Sequence, residues 1–325
     1  MNIVKSILEQ GGSIHPLLVP SSSMIGTSLT NPSIFKDSNN KLIVNLRNIN
    51  YVLYHAENGV NEHIWGPLCY LHPENDITLT TYNILCNLNE KLEIESHSIV
   101  DTSLLDEKPL WEFIGLEDCR IAEWDNKFFL SGVRRDTTTN GEGRMELSEI
   151  LRKNNKSIEI KRQRIPAPGA NNSYCEKNWM PILDRPYHYV KWTNPTEVAK
   201  FDPITGQCET VILTEYQDLK AADLRGGSQV IPFEDHYLAL THETYLFKSE
   251  AGRKNVSYKH RLVLWDQDFH IVKISEPFSF TGCEVEFCCG LCDYNDSLLM
   301  TFGVQDNAAY LLEAPKHIIK KMLNL

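Results

Sequence analysis

The chain has 325 residues, 42% of them hydrophobic and 23% charged, with a formal net charge of −11 and a pI near 5.5. That length builds one large domain or two ordinary ones around a sizeable core. The acidic balance argues against nucleic-acid partners and membrane attachment, and no apolar run approaches the roughly 20 residues of a membrane span.

The N-terminus, MNIVKSILEQGGSIHPL, lacks the apolar core and small-residue cleavage site of a signal peptide. The expectation is a cytoplasmic protein whose nine cysteines, odd in number and irregularly spaced, are reduced thiols. The glycosylation sequons at Asn155 and Asn255 carry no weight in that compartment. NIVKSILEQ, stopped by Gly11, reads as a short helix.

From there the chain is a series of short runs rich in Val, Ile, Tyr, Phe and Trp. Turn clusters such as KDSNNK, EWDNK, DPITG and DYNDS separate them. This is an all-β pattern, and it contains a weak repeat. Five times a polar motif leads into a short strand, a turn, and a second apolar strand ending in a polar residue. The units are NPSIFKDSNNKLIVNLR (31–47), EDCRIAEWDNKFFLSGVR (117–134), EKNWMPILDRPYHYVKW (176–192), GGSQVIPFEDHYLALTH (226–242) and CGLCDYNDSLLMTFGVQD (289–306). Two strands and a turn recurring in this way fit the inner hairpins of propeller blades, with the intervening strands completing each four-stranded blade. Five units predict a five-bladed β-propeller; a two-sheet sandwich competes.

Other segments carry less. GRMELSEILRKNNKSIEIKRQRI (143–165) reads as a hairpin turning at KNNK, its basic half either a solvated blade edge or a contact for an acidic partner. YKHR (258–261), with His260 and Arg261, is a strand edge or a basic substrate contact. CCGLC (288–292) has no second pair at metal-ligand spacing and reads as small apolar residues in a strand, so no metal is expected. APKHIIKKMLNL closes the chain as a helix with Ile318, Ile319, Met322 and Leu323 on one stripe. The chain is thus read as a single propeller domain: an N-terminal extension over 1–29, a propeller core over about 30–312, and a C-terminal helix over 313–325.

In a propeller, the starts of the inner strands and the ends of their partners meet at the mouth of the central channel. The five polar motifs would bring Arg47, Asp118, Arg120, Lys177, Lys191, His242, Tyr258 and Asp306 into one funnel, a default site. Two carboxylates, several cations and an aromatic suit sugar or phosphate chemistry. A carboxylic acid can protonate a leaving glycosidic oxygen, and the cations can hold phosphate. The bland alternative is local: Glu117 and Arg120, three residues apart, pair at a blade edge.

The motif GLEDCRI resembles the G-x-E-D-x-R-I signature of the mannoside phosphorylases of glycoside hydrolase family 130 and of the related glycosyltransferase family 108. NPSIF…LIVNLR looks like that family's first-blade N-P motif ending in arginine, and EKNWMPILDRPYHYVKW, RGGSQVIPFEDHYLALTHE, YKHRLVLWDQDFHIVKISEPF and CGLCDYNDSLLMTFGVQDNAA look, in order, like its later motifs. The resemblance runs over roughly residues 30–312. It implies a five-bladed propeller. It also implies an inverting mechanism in which Asp118 is the general acid, its proton passing through a sugar hydroxyl while phosphate attacks the anomeric carbon. Arg47 and Asp306 fall where the family binds the donor sugar, and Glu117 and Arg120 where they hold the acid in position at the sugar. Lys177, Lys191 and His242 fall where it holds phosphate, with Tyr258 beside the substrate. No cofactor is implied beyond a co-substrate: inorganic phosphate, a sugar phosphate or a nucleotide sugar. The partners expected are a glycan or sugar-phosphate substrate and a second copy in a homo-oligomer. Lys177 and Lys191 stand where the family tends to have arginines, Glu243 where it has glycine, and Cys119 where it has proline. These departures leave three readings open: phosphorylase or nucleotide-sugar transferase, hydrolase, and non-catalytic glycan-binding propeller.

Overall fold

The apolar runs form strands in the computed structural model, which describes residues 2–55, 68–71, 78–169, 173–217, 223–248 and 254–325. The chain begins with α1 (Ile3–Leu8) and β1 (Ser13–Pro16). The first blade is β2 (Ser28–Lys36), β3 (Leu42–Ile49), β6 (Leu79–Leu88) and β7 (Ile94–Asp101). Between its second and third strands runs a ribbon of β4 (Val52–His55) and β5 (Leu68–Leu71). After β8 (Phe113–Ile114), the second blade is β9 (Leu116–Trp124), β10 (Lys127–Arg134), β11 (Arg144–Lys153) and β12 (Lys156–Arg164). The third is β13 (Met180–Pro181), β14 (His188–Trp192), β15 (Thr196–Phe201) and β16 (Cys208–Thr214). In the fourth, β17 (Arg225–Gly226) and β18 (Ile231–Phe233) both pair with β19 (His236–Lys248), followed by β20 (Lys254–Trp265) and β21 (Ile271–Ile274). The fifth is β22 (Glu286–Tyr294), β23 (Ser297–Val304) and β24 (Ala308–Pro315), before α2 (Lys316–Leu323).

This is the all-β propeller that the hairpin repeat predicts, and each of the five repeats is the inner hairpin of one blade. The hairpin turns are built by residues that tolerate positive φ: Asn40, Asp125, Asn126, Asn154, Asn155 and Asn295. Inner strands are covered on both faces by neighbouring blades, so β2 and β22 are buried almost throughout, whereas the outer strand β16 is largely exposed.

The axis is filled, not open. Gln229, fully buried, donates through Nε2 to the carbonyls of Ile34 (2.9 Å) and Ile121 (3.1 Å) and accepts from the Leu291 amide (3.1 Å). One amide side chain therefore ties the fourth blade to the inner strands of the first, second and fifth.

The N-terminal segment differs from expectation. Residues 13–16 do not lie outside the blades: β1 pairs antiparallel with β24, Ser13 opposite Glu313 and Pro16 opposite Tyr310. The fifth blade is thus completed by the chain's first strand, which closes the ring. Both terminal helices form as predicted, and Ile3 and Ile7 share a core with Ile318, Ile319 and Leu323. Among the described residues no helix is long and apolar enough to cross a membrane.

Candidate active site

An unbroken strand would aim Glu117 and Asp118 at opposite faces. In β9, Glu117 pairs with Val133 and Arg120 with Ser131, so Asp118 and Cys119 together oppose the single residue Gly132. Asp118 takes a left-handed φ of 49° at this bulge. The bulge needs a glycine opposite, because a Cβ at Gly132 would stand 2.4 Å from the Glu117 carbonyl oxygen. The first blade repeats the device: Thr30 pairs with Arg47 and Ser33 with Asn45, and Asn31 sits at φ 40° in the bulge between them.

The two bulges bring their side chains together at Arg47, near the end of β3. Its Nη1 donates to Asp118 Oδ1 at 2.8 Å. Its Nη2 donates to Glu117 Oε2 at 3.1 Å and to the Tyr51 hydroxyl at 2.6 Å, and its Nε to Thr81 Oγ1 at 3.2 Å. Asn31 Nδ2 donates to Asp118 Oδ1 at 2.8 Å and to Asp306 Oδ1 at 3.3 Å. Three carboxyl groups therefore surround one guanidinium and one amide.

Their environments push them apart. Burial raises the Asp118 carboxyl, but Arg47, Arg120 and Lys177, with the Asn31 hydrogen bond, outweigh it and hold Asp118 below the ordinary carboxylate value. Burial pushes Glu117 up, with Arg47 only partly opposing it, and its Oε1 has no partner among the described residues. Asp306 is likewise raised by burial, against the pull of Arg47 and with the push of Asp118. Burial lowers the Arg47 guanidinium, but Tyr51 and the three acids more than reverse this, so it stays charged.

Arg120 has a different place. It is buried, its Nε donating to the Gly227 carbonyl at 2.7 Å, its Nη1 to the Asp118 carbonyl at 2.6 Å and its Nη2 to Asn178 Oδ1 at 3.4 Å. It pins the second blade to the third and fourth beneath the acids. The predicted alternative of a local Glu117–Arg120 pair does not form, because Glu117 turns to Arg47 instead.

On the other side of the acids lie Lys177, Arg225, His242 and Tyr258. Lys177 and Arg225 are exposed and make no ion pair among the described residues, yet their charge acts on both His242 and Tyr258. Burial, then His260, Lys177, Arg120 and Arg225, push the His242 imidazole well below its ordinary value, so it is neutral. Its Nδ1 is buried without a partner among the described residues, and its ring packs edge-on to Phe287 at 4.9 Å and near Tyr258 at 5.5 Å. His242 is thus a neutral hydrogen-bonding group and not a third cation. Tyr258 is raised by burial and remains a phenol.

Lys191 does not join this group of cations. It is the extra residue of a bulge between Val190 and Trp192, where its ammonium meets Glu197 at 3.0 Å and lies over the Trp179 ring at 5.9 Å. Glu243 neither faces phosphate nor orients His242. It accepts from Arg261 and from the Tyr245 hydroxyl on the opposite face of β19. His260, opposite His242 across the β19–β20 pair, is buried in the core against Phe278 and Phe280. Cys288, Cys289 and Cys292 are buried thiols in β22, all raised by burial. The residues that sequence reasoning did not single out are Asn31, Tyr51, Thr81, Asn178 and Arg225. Asn31, Asn178 and Arg225 do sit in the quoted NPSIF, EKNW and RGGSQ motifs, and Asn31 takes in its blade the bulge position that Asp118 takes in the second.

No family model matches the chain, and no curated protein matches it. Solved structures do. A β-1,2-mannobiose phosphorylase from Listeria innocua, solved with β-1,2-mannobiose, is 16% identical over 96% of this chain and 96% of its own, with a TM-score of 0.55. MPT-4, a mannose phosphorylase from Leishmania mexicana solved with a phosphate ion, is 13% identical over 96% and 92%, with a TM-score of 0.52. MPT-1, a GDP-Man-dependent mannosyltransferase from the same organism, is 11% identical over 96% and 94%, again at 0.52. This chain has the fold of those proteins, along nearly its whole length.

Proposed function

We propose that the protein is a carbohydrate-active enzyme that cleaves a mannosidic bond by phosphorolysis with inversion. The observation that carries this reading is an acid cluster beside cations that pair with no carboxylate among the described residues. Asp118 lies between Arg47 and Asn31, the charge of Lys177 acts both on it and on His242, and Arg225 acts on His242, whose buried Nδ1 has no partner among the described residues. Mannose as the sugar rests on the named substrates of proteins with this fold.

In this mechanism a phosphate oxygen attacks the anomeric carbon while the glycosidic C–O bond breaks. The leaving oxygen takes the proton that Asp118 delivers through a sugar hydroxyl. The products are a mannose 1-phosphate and the shortened glycan, and Asp118 is left as a carboxylate. That state is the one Arg47 and Asn31 stabilise in the free protein. Phosphate bound to Lys177 cancels part of the positive field that keeps Asp118 ionised, which favours its reprotonation for the next turnover. Asp306 accepts hydrogen bonds from the donor sugar, and Arg120 fixes the backbone of Asp118.

The hydrolase reading is weaker. An inverting hydrolase needs room for a water between its two carboxyls, whereas Asp118 and Asp306 are drawn together on the one Asn31 amide, at 2.8 and 3.3 Å from its nitrogen. A nucleotide-sugar transferase is the second reading, since the same cations suit a diphosphate and MPT-1 shares the fold. The test is a product assay on mannobiosides with and without phosphate, and on GDP-mannose with a mannoside acceptor, read by proton NMR. Phosphate-dependent mannose 1-phosphate of inverted configuration supports the proposal. Free mannose alone, or turnover of GDP-mannose alone, overturns it in favour of a hydrolase or a transferase. Binding without turnover of any donor would mark a non-catalytic propeller.

A further inference from the structure

A cavity lies behind the acid cluster, in the wedge between the first and second blades. Its volume is about 660 Å³, within the ~300–1,000 Å³ range of small-molecule sites. At their outer edges the blades are joined where β7 and β12 pair in parallel for two residues, Val100 with Ser157 and Asp101 with Ile158. Further in, Phe35, Ile43 and Leu85 of the first blade pack against Leu116, Ile121, Leu130 and Ile150 of the second, and the cavity opens beside that core.

The wall has a particular chemistry. Its two arginines are already neutralised. Arg134 lies 3.1 Å from Asp136 and 2.9 Å from Glu146, and Arg162 is bound by Glu159 and by Asp106 at 3.3 Å. Of the basic half of the 143–165 hairpin, Arg162 turns to this wall and Arg164 pairs with Glu146, while Lys153, Lys156 and Lys161 stay exposed at the blade edge. With its guanidiniums held, the wall's remaining cation is the exposed Lys108, and the carboxylates of Asp106, Glu107, Asp136 and Glu159 outnumber the cations that line it, so the cavity does not favour an anion. It offers fixed carboxylate and guanidinium edges beside apolar surface from Val100, Leu116 and Ile150. Alternating polar edges and apolar patches suit a neutral polyhydroxyl ligand, whose hydroxyls take the edges and whose C–H faces take the aliphatic surface.

We propose that this interblade cavity is an accessory saccharide-binding site. It adjoins the acid cluster at two points: Thr81, which lines it, accepts from Arg47, and Leu116, which also lines it, precedes Glu117. A bound glycan there would hold a longer substrate to the propeller independently of the reacting bond. The choice of a mannose-containing probe rests on the proposed function; the site itself does not.

The experiment titrates the Asp118→Asn protein with mannobiose by calorimetry and soaks its crystals with the same sugar. The expected result is sugar density between the first two blades, and loss of that binding event when Val100→Phe fills the cavity. Thr102→Trp at the rim serves if Val100→Phe does not fold. Inorganic phosphate should leave the event unchanged. Identical isotherms with and without the filling substitution, an empty cavity in soaked crystals, or competition by phosphate would each overturn the proposal. Sugar in the cavity of a protein that turns over no mannoside would sink the proposed function and leave this site standing.

Discussion

Replacing Arg47 by methionine tests the acid cluster most directly. The guanidinium makes four side-chain hydrogen bonds, to Thr81, Tyr51, Glu117 and Asp118, and is itself buried. Methionine fills much of the volume but leaves two acids without their counter-charge. Breaking a buried ion pair from one side costs about 3–5 kcal/mol. At an unfolding entropy of ~2.1 cal/mol/K per residue, a chain of 325 residues converts that into a Tm loss of about 4–7 °C. The loss depends on pH, and its sign follows from Asp118. Its folded pKa is depressed, so in the parent it contributes stability above the unfolded value of about 3.9, lost as pH falls through the folded pKa. Without Arg47 the burial effect dominates, the pKa rises above the unfolded value, and Asp118 costs stability that grows as pH rises from the unfolded value to the new one and stays lost above it. The gap between parent and variant should therefore widen from pH 5 to pH 8. Scanning fluorimetry on the tryptophans at both pH values reads this, with Arg47→Lys intermediate because lysine keeps the charge without the fork. A gap that is equal at pH 5 and pH 8, or below about 1 °C, would refute the account of the cluster.

Asp118→Asn retains an oxygen for Arg47 and Asn31, so its Tm should fall less than that of Arg47→Met, while turnover drops by about 100-fold or more; a folded variant with full activity removes Asp118 as the acid. Lys177→Gln and Arg225→Gln should each raise the phosphate KM about tenfold or more, the value of one charge-assisted hydrogen bond, while Lys191→Gln leaves it unchanged. The reverse order would return Lys191 to the anion site. His260, fully buried, has its pKa lowered by burial to about 3, below the unfolded value of about 6.5. The unfolded chain therefore binds the extra proton between those values, and stability is lost as pH falls, by about 2 kcal/mol at pH 5. His260→Phe, placed against Phe278 and Phe280, should flatten the decline in Tm between pH 6.5 and 5; parallel curves would refute this.

The fold was legible because each blade's inner hairpin is encoded locally. Its turn residues tolerate positive φ, and its strands are apolar because both faces are covered. The ring closure was not, because SIHP is short, polar and half-exposed, and its partner lies some 300 residues away. At the site, the signature placed Glu117 and Asp118 together but not their counter-ion. The nearest cation in sequence, Arg120, is taken by backbone carbonyls, and the actual partner comes from the first blade. Lys191 misled for a related reason. It ends a second strand, as Arg47 nearly does, but the bulge at Lys191 turns it onto Glu197 and Trp179. Bulges decide which side of a strand a residue faces, and nothing in the local pattern of apolar residues announces them.

At rest Asp118 is held ionised, the opposite of the state that the acid role proposed for it requires. A general acid that is held as carboxylate is in the state it reaches after donating its proton. Two neighbours that burial pushes the other way, Glu117 and Asp306, remain nearby as the groups that retain protons more readily. Such separation of carboxyls by environment is how one site holds both proton-rich and proton-poor groups at one pH. The positive field that keeps Asp118 ionised comes from Arg47, Arg120 and Lys177, and of these only Lys177 is exposed. An anion arriving at Lys177 is therefore the one event that changes the field without moving the blades. Phosphate on this reading is both nucleophile and switch: it brings the attacking oxygen, and its charge allows Asp118 to hold the proton that the leaving group needs.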